Sequence, residues 1–157
     1  MIGLIVAYAK NHVIGHNGCI PWKIKGEQRR FKELTIGNVV VMGRRSYEEI
    51  GHPLPDRTTI VISRTKKFNE KNCITVKSLD EAIELAGDKD IYISGGSSLY
   101  QESLSMVEKM YITEIDYEVE GDTYFPKFDE TLFDKEVNQH FEGDISYTYV
   151  TYTKRKR

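Results

Sequence analysis

Apolar residues fall along this chain in two rhythms. Short β-branched runs of near-continuous hydrophobicity alternate with stretches in which apolar positions recur every three or four residues, the pattern of an α/β domain. The runs predict buried strands over Ile2–Ala9, Val39–Met42, Thr59–Ser63, Ile74–Val76, Ile91–Ser94 and Lys109–Asp116. Leu132–His140 and Tyr147–Thr153 instead alternate polar and apolar residues and follow turns without an intervening helix. They predict an antiparallel hairpin at the edge of a mostly parallel sheet.

The helical stretches carry their own punctuation. Ser78-Leu79-Asp80-Glu81 is a capping box, followed by Ala82, Ile83 and Ala86 in helical register and by Gly87 as a stop. A second helix is expected just after Gly95-Gly96, with Leu99, Tyr100, Ser103, Leu104 and Val107 along one face. A short one runs from Ser46 to Ile50 and ends at Gly51. The fourth spans about 26–34, with Phe31 and Leu34 as its buried stripe. Glu27 lies one turn before Phe31 on that face, whereas Arg29, Arg30, Lys32 and Glu33 point elsewhere. The expected fold is therefore one α/β domain over 1–157: an eight-stranded, mostly parallel sheet with an antiparallel C-terminal edge hairpin and about four flanking helices.

Composition narrows the function. With 39% hydrophobic and 29% charged residues the chain is no disordered tail, and 22 basic against 24 acidic residues is too balanced for a nucleic-acid coat. The run 154–157 is expected to be a disordered basic tail. Two cysteines, Cys19 and Cys73, without Cys/His ligand spacing suggest neither a disulfide framework nor a metal site, and favour a reducing, cytoplasmic setting. The apolar opening Met1–Ala9 lacks a positive start and is too short to span a membrane, so no membrane partner is expected.

Four features carry candidate chemistry. Glu27 is either an anion welcomed by the first turn of its helix or a buried acid that binds an amidine-like group. Gly95-Gly96 is either a tight turn or a bare stretch of backbone that a phosphate can approach. Arg44 and Arg45, just before a helix, and Ser63-Arg64, at a strand end, are either solvated charges or a site for a 2′-phosphorylated nucleotide. Arg57, on a loop stiffened by Pro53 and Pro55, is either a surface residue or a carboxylate clamp.

Seven stretches in order resemble the dihydrofolate reductase family: Val13-Ile14-Gly15, Ile20-Pro21-Trp22, Val41-Met42-Gly43-Arg44, Ile50-Gly51-His52-Pro53-Leu54-Pro55, Ser94-Gly95-Gly96, Tyr111-Ile112-Thr113 and Glu120-Gly121-Asp122-Thr123. The resemblance covers Ile2 to about Tyr152. It implies reduction of 7,8-dihydrofolate to tetrahydrofolate with NADPH as hydride donor, in a cytoplasmic, monomeric enzyme without nucleic-acid partners. By this likeness Glu27 is the active-site carboxylate, supported by Thr113 and by water near Trp22. Ile5, Val6, Phe31, Ile50 and Leu54 line the substrate slot, with Gln28, Lys32 and Ser94 at its walls and Arg57 on the glutamate tail. Residues from about Ala9 to Lys23 correspond to a mobile loop that closes over nicotinamide.

For NADPH the resemblance implies Ala7, Ile14, Gly15 and Ser46 near the nicotinamide, with Gly18, Cys19 and Ile20 on the loop above it. Gly43, Gly95 and Gly96, the last two joined by a cis peptide, would lie along the pyrophosphate, followed by Ser97, Ser98, Leu99 and Tyr100. Arg44, Ser63 and Arg64, with Arg45 and Lys77 nearby, would form the 2′-phosphate site. Departures lie at Ile20, His52, Ser97-Ser98, Gln28 and Ser94. The last two, set in Lys25-Gly26-Glu27-Gln28, resemble the mobile, trimethoprim-insensitive reductases and imply antibiotic resistance. Two rivals remain: a riboflavin-pathway pyrimidine reductase of the same architecture, and a non-catalytic nucleotide-binding module.

Overall fold

The computed structural model describes residues 1–15, 27–68 and 70–155. Its core is an eight-stranded sheet in the order β5-β4-β3-β6-β1-β7-β10-β9. The strands are β1 (Ile2–Ala9), β3 (Val39–Gly43), β4 (Thr58–Ile62), β5 (Cys73–Val76), β6 (Ile91–Ile93), β7 (Lys109–Ile115), β9 (Phe133–Phe141) and β10 (Tyr147–Lys154). From β5 across to β7 all neighbours run parallel, and β10 pairs antiparallel with both β7 and β9. The expected mostly parallel sheet with an antiparallel edge hairpin is what forms. Two further strands that periodicity did not predict, β2 (Val13–Gly15) and β8 (Thr123–Tyr124), pair with each other in a small second sheet.

Helices cover both faces. Successive residues of a strand point to opposite sides, and the core divides accordingly. Val39, Val41, Ile60 and Ile93 pack with Leu79 and Ala82 of α3 (Leu79–Ala86) and Leu99 and Tyr100 of α4 (Ser97–Ser103). Val40, Met42 and Val61 pack on the other face with Phe31 of α1 (Glu27–Thr35) and Tyr47 and Ile50 of α2 (Arg44–Ile50). Fully burying one such aliphatic side chain stabilises by about 1.5–3 kcal/mol. Half of the capping box forms as expected, Ser78 Oγ accepting from Glu81 N at 3.1 Å, while Glu81 Oε2 accepts from Lys77 N, one residue before the cap, at 2.8 Å.

Three local expectations need correction. Arg44 and Arg45 do not precede their helix but open it, because Arg44 Nε donates to Glu48 Oε1 one turn on, at 2.9 Å. The helix after the double glycine stops at Ser103, short of Val107. Lys154 and Arg155 are ordered rather than part of a free tail: Lys154 closes β10, and Arg155 N donates to Leu132 O while its guanidinium pairs with Asp134 at 2.8 Å.

The segment 116–125 is tied down on residues 10–15. Lys10 N donates to Tyr117 O, Asn11 Nδ2 to Val119 O, Phe125 N to His12 O and Asp122 N to Gly15 O. Gly121 makes that approach possible, since a Cβ there would overlap Val13 Cγ1 and stand 2.6 Å from Gly15 O. Among the described residues no helix is long and apolar enough to cross a membrane.

Candidate active site

A parallel sheet delivers the C-terminal ends of its strands to one edge, where open α/β sheets bind ligands. Here that edge carries, in spatial order, Lys77 after β5, Ser63 and Arg64 after β4, Gly43 at the end of β3 with Arg44 next, and Ser94, Gly95 and Gly96 after β6. Ala7 and Thr113 follow on β1 and β7, directly paired in register. The edge thus runs from an exposed, cationic end to the buried Thr113.

At the cationic end, Arg44 is the most constrained group, with Nη1 on Thr65 Oγ1 at 3.0 Å in addition to Glu48. Arg45, Arg64 and Lys77 are exposed. Ser63 Oγ accepts from Lys66 N at 3.1 Å, which closes the turn after β4. In the middle, the Gly95-Gly96 peptide is cis, as the resemblance implied, and Gly43 N donates to Gly95 O at 2.8 Å. A Cβ on Gly95 (φ +116°) would lie 3.1 Å from Ser46 Oγ and 3.5 Å from the Tyr100 hydroxyl. The surface is bare backbone with one hydroxyl beside it, a shape that fits the close approach of a dinucleotide pyrophosphate. Ser97 is half-buried and Ser98 exposed at the head of α4. Leu99 and Tyr100 turn into the core, and the Tyr100 hydroxyl donates to Ile5 O at 2.8 Å.

At the other end, α1 supplies both extremes of a slot. Glu27 is its first residue and Thr35 its last, with Phe31 between them at the same helical spacing. At 1.5 Å rise per residue the ends are about 12 Å apart. Thr35 Oγ1, fully buried, donates to Phe31 O at 2.7 Å and accepts from Arg57 Nη1 at 3.2 Å. Arg57 Nε donates to Pro55 O at 2.9 Å, and its guanidinium carbon lies 5.7 Å from the Phe31 ring centre. Arg57 is therefore no surface residue but 7% exposed and doubly anchored. Burial lowers its pKa, opposed by Asp56, and a guanidinium remains cationic regardless. Phe31, Ile50 and Leu54 are half-buried apolar side chains packed against the Val40–Met42 face.

Several expected site residues fall differently. Val6 alternates with Ile5 and Ala7 and belongs to the core cluster with Leu4 and Tyr8, so its side chain does not line the slot. Ile14 is half-buried against the same cluster. Gln28 and Lys32 are exposed. Ser94 Oγ is buried and has no hydrogen-bond partner among the described residues. Gly18, Cys19, Ile20 and Trp22 lie outside the described residues, as do the 16–23 part of the expected mobile loop and the Glu27 side chain.

Sequence reasoning missed one member. Arg30, assigned outward, has its guanidinium carbon 3.8 Å from the Tyr149 ring centre and Nη1 3.5 Å from Thr113 Oγ1. Thr113 is 2% exposed and pairs in register with Tyr149. Its three-residue spacing from Glu27 was the available signal.

Comparison with known proteins gives the same reading as the geometry. The sequence model described as dihydrofolate reductase matches residues 1–155. The Escherichia coli protein named dihydrofolate reductase type A13 is 36% identical over 98% of this chain and 94% of its own. The Salmonella typhimurium dihydrofolate reductase type 3 is 42% identical over 82% of this chain and 80% of its own. Among solved structures, dihydrofolate reductase from Enterococcus faecalis complexed with NADP(H) and RAB-propyl superposes with a TM-score of 0.90 at 31% identity, covering 99% of this chain and 97% of that one. With the sheet order, the double-glycine edge and the acid-to-arginine slot already in place, the chain belongs to the dihydrofolate reductase family.

Proposed function

We propose that this enzyme reduces 7,8-dihydrofolate to 5,6,7,8-tetrahydrofolate with NADPH, and that it does so in a slot measured out by α1. The observation that carries the reading is α1 itself, with an acid at position 27 at its start and, about 12 Å along its axis, Thr35, whose buried hydroxyl fixes the preorganised Arg57. A bicyclic ring joined through an aromatic linker to a carboxylate tail spans such a gap. A ribosylated pyrimidine has no use for Arg57, and a plain nucleotide-binding module has none for either end.

In this reading Glu27 hydrogen-bonds the pterin 2-amino group and N3, with Thr113 beside it, and favours protonation at N5. Phe31, Ile50 and Leu54 hold the aminobenzoyl ring, and Arg57 holds the tail carboxylate. Gly43, Gly95, Gly96 and Ser46 hold the cofactor along the middle of the edge, and Arg44, Ser63 and Arg64 its 2′-phosphate. NADPH, when bound, supplies the hydride for C6. The test is loss of NADPH absorbance on adding dihydrofolate, with methotrexate as the inhibitory control.

The phosphate assignment has its own check. Replacing Arg64 by Ala raises KM for NADPH by about tenfold, the worth of one charge-assisted phosphate contact. NADH, which lacks that phosphate, is nearly unaffected. Equal weakening of both cofactors places Arg64 elsewhere.

The same reading extends to trimethoprim insensitivity. Gln28 is exposed, so the argument rests on Ser94, whose buried hydroxyl, beside the double glycine, lacks a partner among the described residues. That hydroxyl is out of water before any ligand binds, so its desolvation does not weigh on the inhibitor; serine instead offers apolar inhibitor rings less apolar surface than a branched side chain, at about 0.8 kcal/mol per buried methylene. Ser94→Ile therefore tightens trimethoprim binding by about tenfold, equally at every pH. An unchanged inhibition constant removes Ser94 from the explanation.

A further inference from the structure

Arg30 places a permanent positive charge where the family reading needs a carboxylate to work. Its guanidinium is fixed from below by the Tyr149 ring at 3.8 Å, and its tip is directed at Thr113 Oγ1. Thr113 is the buried residue that the proposed function sets beside Glu27, and Arg30 follows Glu27 by three residues on α1. Residues so spaced on a helix are neighbours. Among the described residues the surroundings offer little other charge. Tyr111 and Thr113 of β7 and Tyr147 and Tyr149 of β10 share this sheet face, by the alternation of their strands. The acids of the same face lie on the edge strand β9: Glu136, exposed and in register with Thr151, and Asp134, paired with Arg155 at 2.8 Å. On α1 itself Arg29 pairs outward with Glu33 at 3.1 Å, and Lys32 is exposed. Arg30 is thus a cation of α1, one turn from position 27, whose guanidinium is held at Thr113.

We propose that Arg30 is a specificity-determining residue that discriminates against inhibitors which bind as cations. The inference rests on the proposed role of Glu27. Dihydrofolate presents a neutral ring to that carboxylate, whereas a 2,4-diaminopyrimidine is a base that takes up a proton when it pairs with an acid. A fixed guanidinium nearby leaves the first pairing almost untouched and repels the second. The same repulsion opposes a proton on the pterin, so Arg30 also lowers the apparent pKa of the hydride step. Discrimination arises from charge rather than shape, which separates it from the Ser94 effect.

The test uses full-length enzyme saturated with NADPH, as wild type, Arg30→Leu, Arg30→Gln and Arg30→Lys, with trimethoprim inhibition and dihydrofolate KM measured as functions of pH. In the two neutral variants the ratio of the trimethoprim inhibition constant to the dihydrofolate KM falls by about ten- to a hundredfold, the scale of a like charge a few ångströms away in a partly screened site. The apparent pKa of the hydride step rises in both, and Arg30→Lys keeps most of the discrimination. Arg30→Gln retains the planar group over Tyr149 and serves if Arg30→Leu does not fold. Failure of the Glu27 reading shows separately, as a Glu27→Gln enzyme with normal turnover. If Glu27→Gln is crippled while a folded neutral Arg30 variant keeps both the wild-type ratio and the wild-type pH profile, Arg30 is a strut on the sheet and the inference is overturned.

Discussion

Glu27→Gln lowers the rate of dihydrofolate reduction by about 10²- to 10⁴-fold at neutral pH, the range for loss of a positioned acid–base group. The substitution keeps the size of the side chain and its helix position, so the loss belongs to the charge. Glutamine can still accept one hydrogen bond from the pterin, but it offers no anion to hold the 2-amino group and N3 together or to favour a proton at N5. Solvent then becomes the proton source, and the hydride step in the mutant recovers as pH falls. Single-turnover measurement of NADPH oxidation against pH separates this from a binding defect, because binding alone moves KM and leaves the hydride step in place. A mutant with wild-type turnover at neutral pH removes Glu27 from the chemistry and with it the slot as drawn here.

How much of this was legible in the sequence depends on whether the signal was local. Ser78 and Glu81 announce α3 because its N-terminal cap is made within five residues, Lys77 to Glu81. The parallel strands announce themselves by continuous apolar runs, since both of their faces are covered. β2 and β8 gave no signal: they hold three and two residues, too few for a period, and each exists because the other lies against it. Reading Arg44 and Arg45 as a pre-helix pair overlooked Glu48, one turn on, whose carboxylate draws Arg44 into the helix. Arg30 was misplaced for a related reason. An apolar stripe defines a helix face only against an apolar partner, and the partner here is the ring of Tyr149, delivered by β10 from more than a hundred residues further along the chain. Val6 could have been placed correctly, because strand alternation already separates it from Ile5 and Ala7.

The same distinction between local and distant signals sets the second large effect. Arg57 was visible as a loop arginine just after two prolines, but its partner Thr35 sits at the end of α1, a strand and a helix earlier, so neither its burial nor its aim could be read from the loop. The geometry shows why the aim is fixed. Nε is held by Pro55 O and Nη1 by Thr35 Oγ1, which leaves Nη2 without a protein partner among the described residues. A carboxylate that meets this group makes a charge-assisted contact, worth about 1.5–3 kcal/mol per hydrogen bond, without having to order the arginine first. Arg57→Leu therefore raises KM for dihydrofolate by about ten- to a hundredfold or more. Methotrexate, which carries the same glutamate tail, weakens in parallel. Trimethoprim has no tail and is nearly unaffected. Since the change also leaves the buried Thr35 hydroxyl without its donor, thermal unfolding of the variant is measured alongside, and Arg57→Lys keeps a charge there as the control. Lysine lacks the planar fork that Pro55 and Thr35 hold, so it restores only part of the tail affinity. If trimethoprim weakens as much as methotrexate in a folded Arg57→Leu enzyme, the arginine supports the slot wall rather than the substrate tail.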